Sequence, residues 1–206
     1  MNTAEIHSSH RMGRAFSLIE LLVVLGVIVF IVAVMWGRNS RSFQLKAMSL
    51  CEGHLQNIHI ALKTYAVDHN GLFPIMTNAT TSEPVLSLLI PQYTTGSENF
   101  ICPGSKDSPI PAGKPFAELK ISYAYYMGRT SSEGADAPLL SDRQINTLVK
   151  SAGSPLFSST GKGPGSNHDR YGGNVLFCDG SVQRSESTSS LALPAATNIT
   201  LLDAKP

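Results

Sequence analysis

Four polar residues in the C-terminal half could take part in metal-binding or acid–base chemistry: Asp142, His168, Asp169 and Asp179. Carboxylate and imidazole groups are common metal ligands, so these side chains could hold a cation if the fold draws them together. The sequence has no D-x-D-x-D-G run, no Ser-His-Asp arrangement and no metal-hydrolase motif that stands out. We therefore predict that the chain is not an enzyme. We assign no metal site, but Asp142, His168 and Asp179 are the candidate metal ligands.

The chain has three cysteines, Cys51, Cys102 and Cys178. An odd number leaves at least one cysteine free or available to another chain. The residues alone leave open which two pair, or whether any do.

An acidic residue, Glu20, lies near the start of a strongly apolar segment. The 17 residues from Leu21 to Gly37 carry no charge, and the 22 residues from Phe16 are interrupted only by Ser17 and Glu20. A helix of 22 residues is about 33 Å long, which matches the hydrocarbon core of a bilayer. We therefore expect a transmembrane helix over 16–37. The run is longer than the apolar core of a secretory signal and lacks an A-x-A cleavage pattern.

The segment RAFSLIELLVV, residues 14–24, resembles the N-terminus of type IV pilins and type II secretion pseudopilins. In that family a membrane aspartic peptidase removes a short basic leader, the new N-terminal residue is usually a methylated Phe, and Glu is the fifth mature residue. The resemblance implies cleavage between Ala15 and Phe16, with Phe16 N-methylated and Glu20 in fifth place. The family normally has Gly where this chain has Ala15. A cut after Gly13 would make Glu20 seventh.

Glu20 is predicted to act in assembly. Cleavage creates an ammonium group at Phe16, and Glu20 of one subunit can pair with that group on its neighbour in a filament. A buried charge paired in this way is tolerated and fixes the register between subunits. The simpler alternative places Glu20 at the level of the lipid headgroups.

The pattern after Gly37 is amphipathic. Apolar residues recur at spacings of three and four, which predicts one face of a helix that packs on a globular domain. Asn70-Gly71 supplies a left-handed end, and Pro74 prevents continuation. We expect one helix from about residue 16 to about residue 69. The apolar face consists of Met48, Cys51, Leu55, Ile58, Leu62 and Tyr65.

Short apolar segments in the C-terminal part predict strands. Residues 121–127 alternate and are rich in tyrosine, and 138–142 form a second candidate. Residues 174–178 and 181–183 flank an Asp-Gly pair, which predicts a hairpin with a type I′ turn. The predicted fold class is α+β, a long helix packed on a small antiparallel sheet. The predicted parts are a leader (1–15), a transmembrane and assembly helix (16–37), its amphipathic soluble half (38–70), a globular head (71–185) and a low-complexity tail (186–206).

The C-terminal part is similar to the H-X9-DG domain of a pseudopilin-like group abundant in planctomycetes and verrucomicrobia. His168 and the pair Asp179-Gly180 match the motif that names this domain, with ten residues rather than nine between His168 and Asp179. One extra residue in a surface loop accounts for the difference.

The same resemblance bears on the cysteines and on metal. In that group the positions of Cys51 and Cys102 are commonly Cys, and the position of Cys178 is commonly Ala. The resemblance therefore implies a Cys51–Cys102 disulfide, with Cys102–Cys178 as the alternative. Related pseudopilins bind calcium in C-terminal loops, so Ca²⁺ is the candidate ion, and we expect no other cofactor.

Composition bears on the remaining function classes. The 206 residues carry a net charge of +1, and only 15 % are charged, which argues against nucleic acid as a partner.

We predict a structural subunit in a single-pass inner-membrane precursor with a periplasmic C-terminal domain. A prepilin peptidase would process it, and it would assemble with other pilin-like subunits into a periplasmic or surface filament of the pseudopilus or type IV pilus kind. The alternative is a permanently membrane-anchored extracytoplasmic binding domain.

Overall fold

The computed structural model describes residues 17–35, 41–111, 114–148, 150, 153–187 and 198–206. Several predicted features lie outside the described residues. They are the leader, the cleavage residues Ala15 and Phe16, Gly37, and residues 188–197 of the tail. The chain forms two units, Met1–Arg38 and Asn39–Pro206, which we describe separately.

The first unit contains one described helix, α1, which covers Leu18–Met35 and has 18 residues. Its length is about 27 Å, against the roughly 30 Å of a bilayer core. No helix in the described part of the chain has the length and apolar character that crossing a membrane requires. The predicted transmembrane helix, the fold class that includes it and the single-pass inner-membrane location are therefore wrong. The prediction counted 22 residues, and the described helix has fewer.

The second unit begins with a long amphipathic helix, α2, over Arg41–Asp68. Five residues of its predicted apolar face are buried and Tyr65 is half-buried, which confirms the pattern. The helix ends where Asn70 (φ +53°) and Gly71 (φ +83°) adopt left-handed conformations, and the Gly71 N–H donates to the Ala66 carbonyl at 2.8 Å. The expected junction between the two helical halves falls in residues 36–40, outside the described residues. A short helix α3 follows at Ser82–Leu86, with 3₁₀ turns at Ser87–Leu89, Ser97–Phe100 and Phe116–Glu118.

A five-stranded antiparallel sheet completes this unit, which is an α+β fold. Its spatial order is β4-β3-β2-β1-β5. Strand β5, which pairs Leu202 with Tyr125 of β1, lies in the predicted low-complexity tail and was not predicted. The strands are β1 (Tyr123–Met127), β2 (Pro138–Asp142), β3 (Gly173–Phe177), β4 (Val182–Ser185) and β5 (Thr200–Leu202).

The hairpin between β3 and β4 is present, but its turn is not type I′. Gly180 has φ +93°, and Asp179 is not among the described non-glycine residues with positive φ. The Gly180 N–H donates to the Phe177 carbonyl at 3.0 Å, and the Phe177 N–H donates to the Ser181 carbonyl at 2.9 Å. This is a type I turn followed by a left-handed glycine, the geometry of a three-residue loop.

Both faces of the sheet are covered. Tyr123 and Tyr125 of β1 lie in the main core with the buried face of α2, whereas Tyr126 lies in a smaller cluster with Phe157 and Val175. Side chains of a strand alternate between faces, so this division follows the period of two residues. The loop before β3, which carries Phe157, covers the face opposite α2 and also brings His168 to the sheet.

Candidate functional site

A disulfide joins α2 to the loop that follows the Ser97–Phe100 turn. Cys51 lies on the buried face of α2, and Cys102 follows the turn, with a Cα–Cα distance of 5.4 Å. This is the pair that the resemblance implies. Cys178, just after β3, is a free and buried cysteine, and burial raises the pKa of its thiol to about 12. Its thiol therefore stays protonated near neutral pH and is a poor nucleophile.

A buried histidine and a buried aspartate lie against this disulfide. Asp142 is the last residue of β2, and His168 precedes β3 by a few residues. The Nε2 atom of His168 lies 3.2 Å from Oδ2 of Asp142 and 3.4 Å from Sγ of Cys102. Both side chains are fully buried. We call Cys51, Cys102, Asp142 and His168 the buried cluster.

The Asp142 carboxylate is held by donors from two other segments. The side-chain amide of Asn167 donates to Oδ1 at 2.9 Å, and the backbone N–H of Asn174 donates to Oδ2 at 2.7 Å. The same Asn167 amide donates to the Ser122 carbonyl at 2.7 Å. A buried carboxylate is costly unless it is hydrogen-bonded, and these contacts supply the bonds and fix its position.

Among the residues that the structure describes, the imidazole of His168 makes polar contacts through Nε2 but not through Nδ1. Its Nδ1 atom is buried and has no hydrogen-bond partner within the described residues. Gly104 provides the space on that side, because a Cβ at Gly104 would lie 2.4 Å from Nδ1 and 2.8 Å from the Asn167 carbonyl oxygen. Any side chain at this position would displace the ring, so Gly104 is required for the observed orientation.

The loop around His168 turns sharply. Asp169 has φ +57°, in the left-handed region that Asp adopts more readily than most residues. The Tyr171 N–H donates to the His168 carbonyl at 3.1 Å, which closes a tight turn. This turn directs the His168 side chain into the protein interior. Asp169, considered with the polar residues in the sequence, is not part of the buried cluster.

Asp179 is not part of the buried cluster either. It is exposed in the β3–β4 turn, where its Oδ1 accepts hydrogen bonds from the N–H and hydroxyl of Ser181 at 2.9 and 2.7 Å. These bonds lower the pKa of Asp179. The two ends of the histidine and Asp-Gly motif therefore have separate roles, since His168 joins the cluster and Asp179 shapes a turn.

Two histidines of α2 that were not predicted to have a structural role contact backbone carbonyls of other segments. A ring nitrogen of His54 contacts the Ile101 carbonyl at 3.0 Å, and Nε2 of His59 contacts the Cys178 carbonyl at 3.1 Å. Gly180 accommodates the second ring, since a Cβ there would lie 2.8 Å from His59 Cε1. His59 is four residues after Leu55 and borders the buried face, a position that could have indicated this role.

The donor set of the buried cluster excludes calcium. Its four ligand atoms lie within 4.8 Å of one another, but they are two sulfurs, one imidazole nitrogen and one carboxylate oxygen. Calcium requires six to eight oxygen ligands. Of the candidate ligands, Asp142 and His168 meet in the buried cluster and Asp179 does not. The residues of the cluster do not fit calcium, the ion that the resemblance implies.

Glu20 lies in the first turn of α1 and is exposed. It is the only charged residue of this helix. The large apolar side chains described along α1 are between 43 % and 81 % exposed, on every side of the helix. The cleavage residues that the resemblance places beside it, Ala15 and Phe16, lie outside the described residues.

The described chain thus combines an apolar helix carrying one carboxylate with an α+β head built on a disulfide-linked amphipathic helix. Comparison with family models, with curated proteins and with solved structures finds no match to this chain.

Proposed function

We propose that this chain is a pilin-like structural subunit that a prepilin peptidase processes and that assembles with other pilin-like subunits into a filament. The observation that carries the proposal is the exposure of α1 along its whole described length. Burying one large apolar side chain is worth about 1.5–3 kcal/mol. A helix that is apolar all round gains this free energy only when partners surround it. Equivalent helices of neighbouring subunits are such partners.

The head differs from α1 in how far its apolar residues are buried, and this difference supports the proposal. Its apolar residues are largely buried within their own unit, around the face of α2 and the sheet. The large exposed apolar residues of the described head are scattered, whereas those of α1 are continuous. The surface that needs a partner is therefore concentrated in α1, and the head needs no partner to complete its core.

Glu20 gives the proposed assembly its register. Among packed apolar helices, an unpaired carboxylate is strongly destabilising, by about 3–5 kcal/mol when its partner is removed. Cleavage before Phe16 creates a positive ammonium group four residues away in the sequence, and the same group on a neighbouring subunit can pair with Glu20. This pairing favours one axial offset between subunits over others.

The proposal is tested in the cells that make this chain, with Glu20→Ala and a matched control, Glu98→Ala. Glu98 is an exposed acid of the Ser97–Phe100 turn. We expect the wild-type chain to lose its first 15 residues, to begin with N-methylated Phe16 and to be found in sheared filaments. Glu20→Ala should lower the filament fraction at least about 100-fold, the factor that the loss of a buried ion pair implies. Glu98→Ala should leave it unchanged.

Intact mass and electron microscopy of the sheared fraction provide the measurements. A wild-type chain that keeps Met1 contradicts the processing step. Filaments of Glu20→Ala at wild-type abundance contradict the assembly role.

A further inference from the structure

We propose that the reduced chain binds one Zn²⁺ ion at the buried cluster, through the sulfurs of Cys51 and Cys102, Nε2 of His168 and a carboxylate oxygen of Asp142. Zinc binding and the disulfide exclude each other, because a sulfur in a disulfide carries no thiolate charge. This inference concerns the head alone and does not rest on the filament proposal.

The spacing of the ligand atoms fits a tetrahedral zinc site. With zinc–ligand bonds of about 2.0–2.3 Å, the ligand atoms of a tetrahedron lie about 3.3–3.8 Å apart. His168 Nε2 lies 3.2 Å from Asp142 Oδ2 and 3.4 Å from Cys102 Sγ. All four ligand atoms are within 4.8 Å of one another. The two bonded sulfurs must separate for the ion to enter, and any ligand atoms farther apart than this range must move closer.

The ligand types also favour zinc. Two thiolates and an imidazole are soft or borderline ligands, which select zinc over calcium or magnesium. All four residues are buried, so the ion would be enclosed by four protein ligands, as in structural zinc sites. The donors on Asp142, from Asn167 and from the Asn174 backbone, are the outer contacts that orient a ligating carboxylate.

The orientation of His168 suits a role as a metal ligand. The ring is fully buried, and its Nε2 is directed at both Asp142 and Cys102, where the ion would lie. The other ring nitrogen, Nδ1, lies on the Gly104 side and has no hydrogen-bond partner within the described residues. Gly104 leaves the space that the ring occupies. Coordination through Nε2 would hold the imidazole on the side that faces the cluster.

The disulfide form converts to the zinc-bound form by reduction followed by metal binding. Two electrons and two protons from a dithiol reductant break the Cys51–Cys102 bond and give two thiols, while the reductant becomes a disulfide. Zn²⁺ then displaces both thiol protons and binds the two thiolates. In either state α2 stays linked to the loop that carries Cys102, by a covalent bond or by the metal.

Cobalt uptake by the full-length chain tests the proposal. The chain is kept in a mild detergent, reduced with a phosphine and freed of metal, and Co²⁺ is then added as a spectroscopic probe. We expect one Co²⁺ per chain, with a thiolate-to-cobalt charge-transfer band and tetrahedral visible bands that one equivalent of Zn²⁺ removes. The oxidised chain should show neither feature. His168→Ala should weaken metal affinity at least tenfold, and the control Cys178→Ser, which removes the free cysteine, should keep it.

Alkylation of the reduced wild-type chain provides a measurement that needs no variant. One equivalent of Zn²⁺ should slow alkylation of Cys51 and Cys102 at least tenfold, reversibly with chelator, and leave the rate at Cys178 unchanged. Failure of the reduced wild-type chain to take up one metal ion, whether folded or not, overturns the proposal. So does equal uptake by the oxidised chain, or uptake that His168→Ala leaves intact.

Discussion

Helices α1 and α2 are both rich in apolar residues, but they use them differently. In α1 the apolar side chains surround the helix and are exposed, while in α2 they form one face that is buried within its own unit. Leu22 of α1 is 64 % exposed, whereas Leu55 of α2 is 0 % exposed. Composition alone does not distinguish the two cases. The arrangement around the helix does, because a single apolar face is satisfied by one neighbour, and an all-round apolar surface requires several.

The largest expected effect comes from truncating a matched leucine in each helix. Leu55→Ala should lower the free energy of unfolding of the head by about 2–5 kcal/mol, because it leaves a cavity in the main core. Leu22→Ala should change the same quantity by less than about 0.5 kcal/mol, as an exposed site does. Denaturant unfolding of the full-length chain, followed by near-ultraviolet circular dichroism of the buried tyrosines, measures both. Equal losses from the two variants would show that α1 contributes to the stability of the head.

The next effect concerns acid groups, which are exposed in α1 and partly buried in the head. Burial raises the pKa of Asp203, just after β5, to about 6, although a hydrogen bond from the Ala204 N–H and the charge of Arg143 act against this shift. Glu83 adds to it. Since the folded pKa lies above the unfolded value, the folded state binds more protons between about pH 4 and pH 6. The stability that the protonated acid contributes is therefore lost as pH rises through this window, by about 2–3 kcal/mol.

Asp203→Asn tests this pH dependence. The amide resembles the protonated acid, so the variant should match the wild type near pH 4 and be more stable near pH 7. Unfolding midpoints across this range measure the difference. A wild-type chain and a variant with parallel pH profiles would contradict the assignment to Asp203.

How much of this could be predicted from the sequence depends on the range of the contacts. The buried face of α2 is recorded in local spacing, so it was predicted residue by residue. Strand β5 has three residues and no alternating pattern of its own, and only its pairing with β1 makes it a strand. The apolar run around α1 was recognised, but its length in the described helix was overestimated.

The candidate site shows the same limit. Asp142 and His168 were recognised by residue type, but nothing local indicates that they meet the Cys51–Cys102 disulfide. His168 is 66 residues from Cys102 in the sequence, and the loop before β3 brings the two side chains into contact. Asp179 was grouped with them by residue type, and with His168 by the motif, whereas its short-range bonds to Ser181 hold it in the turn.

The smallest expected effect on the stability of the head comes from replacing one glycine in each helix by alanine. A Cβ added at Gly26 of α1 or at Gly53 of α2 meets nothing within 4 Å beyond its chain neighbours and its own helix backbone. Alanine is the better helix former because glycine loses more backbone freedom on folding. Gly53→Ala should therefore raise the free energy of unfolding of the head by about 0.5–1 kcal/mol. Gly26→Ala should leave it unchanged, because α1 belongs to the other unit.

Both variants are compared by the denaturant midpoint of the head. A gain from Gly26→Ala as large as that from Gly53→Ala would mean that the two helices unfold together, and the contrast between them would then hold for their surfaces but not for their stability.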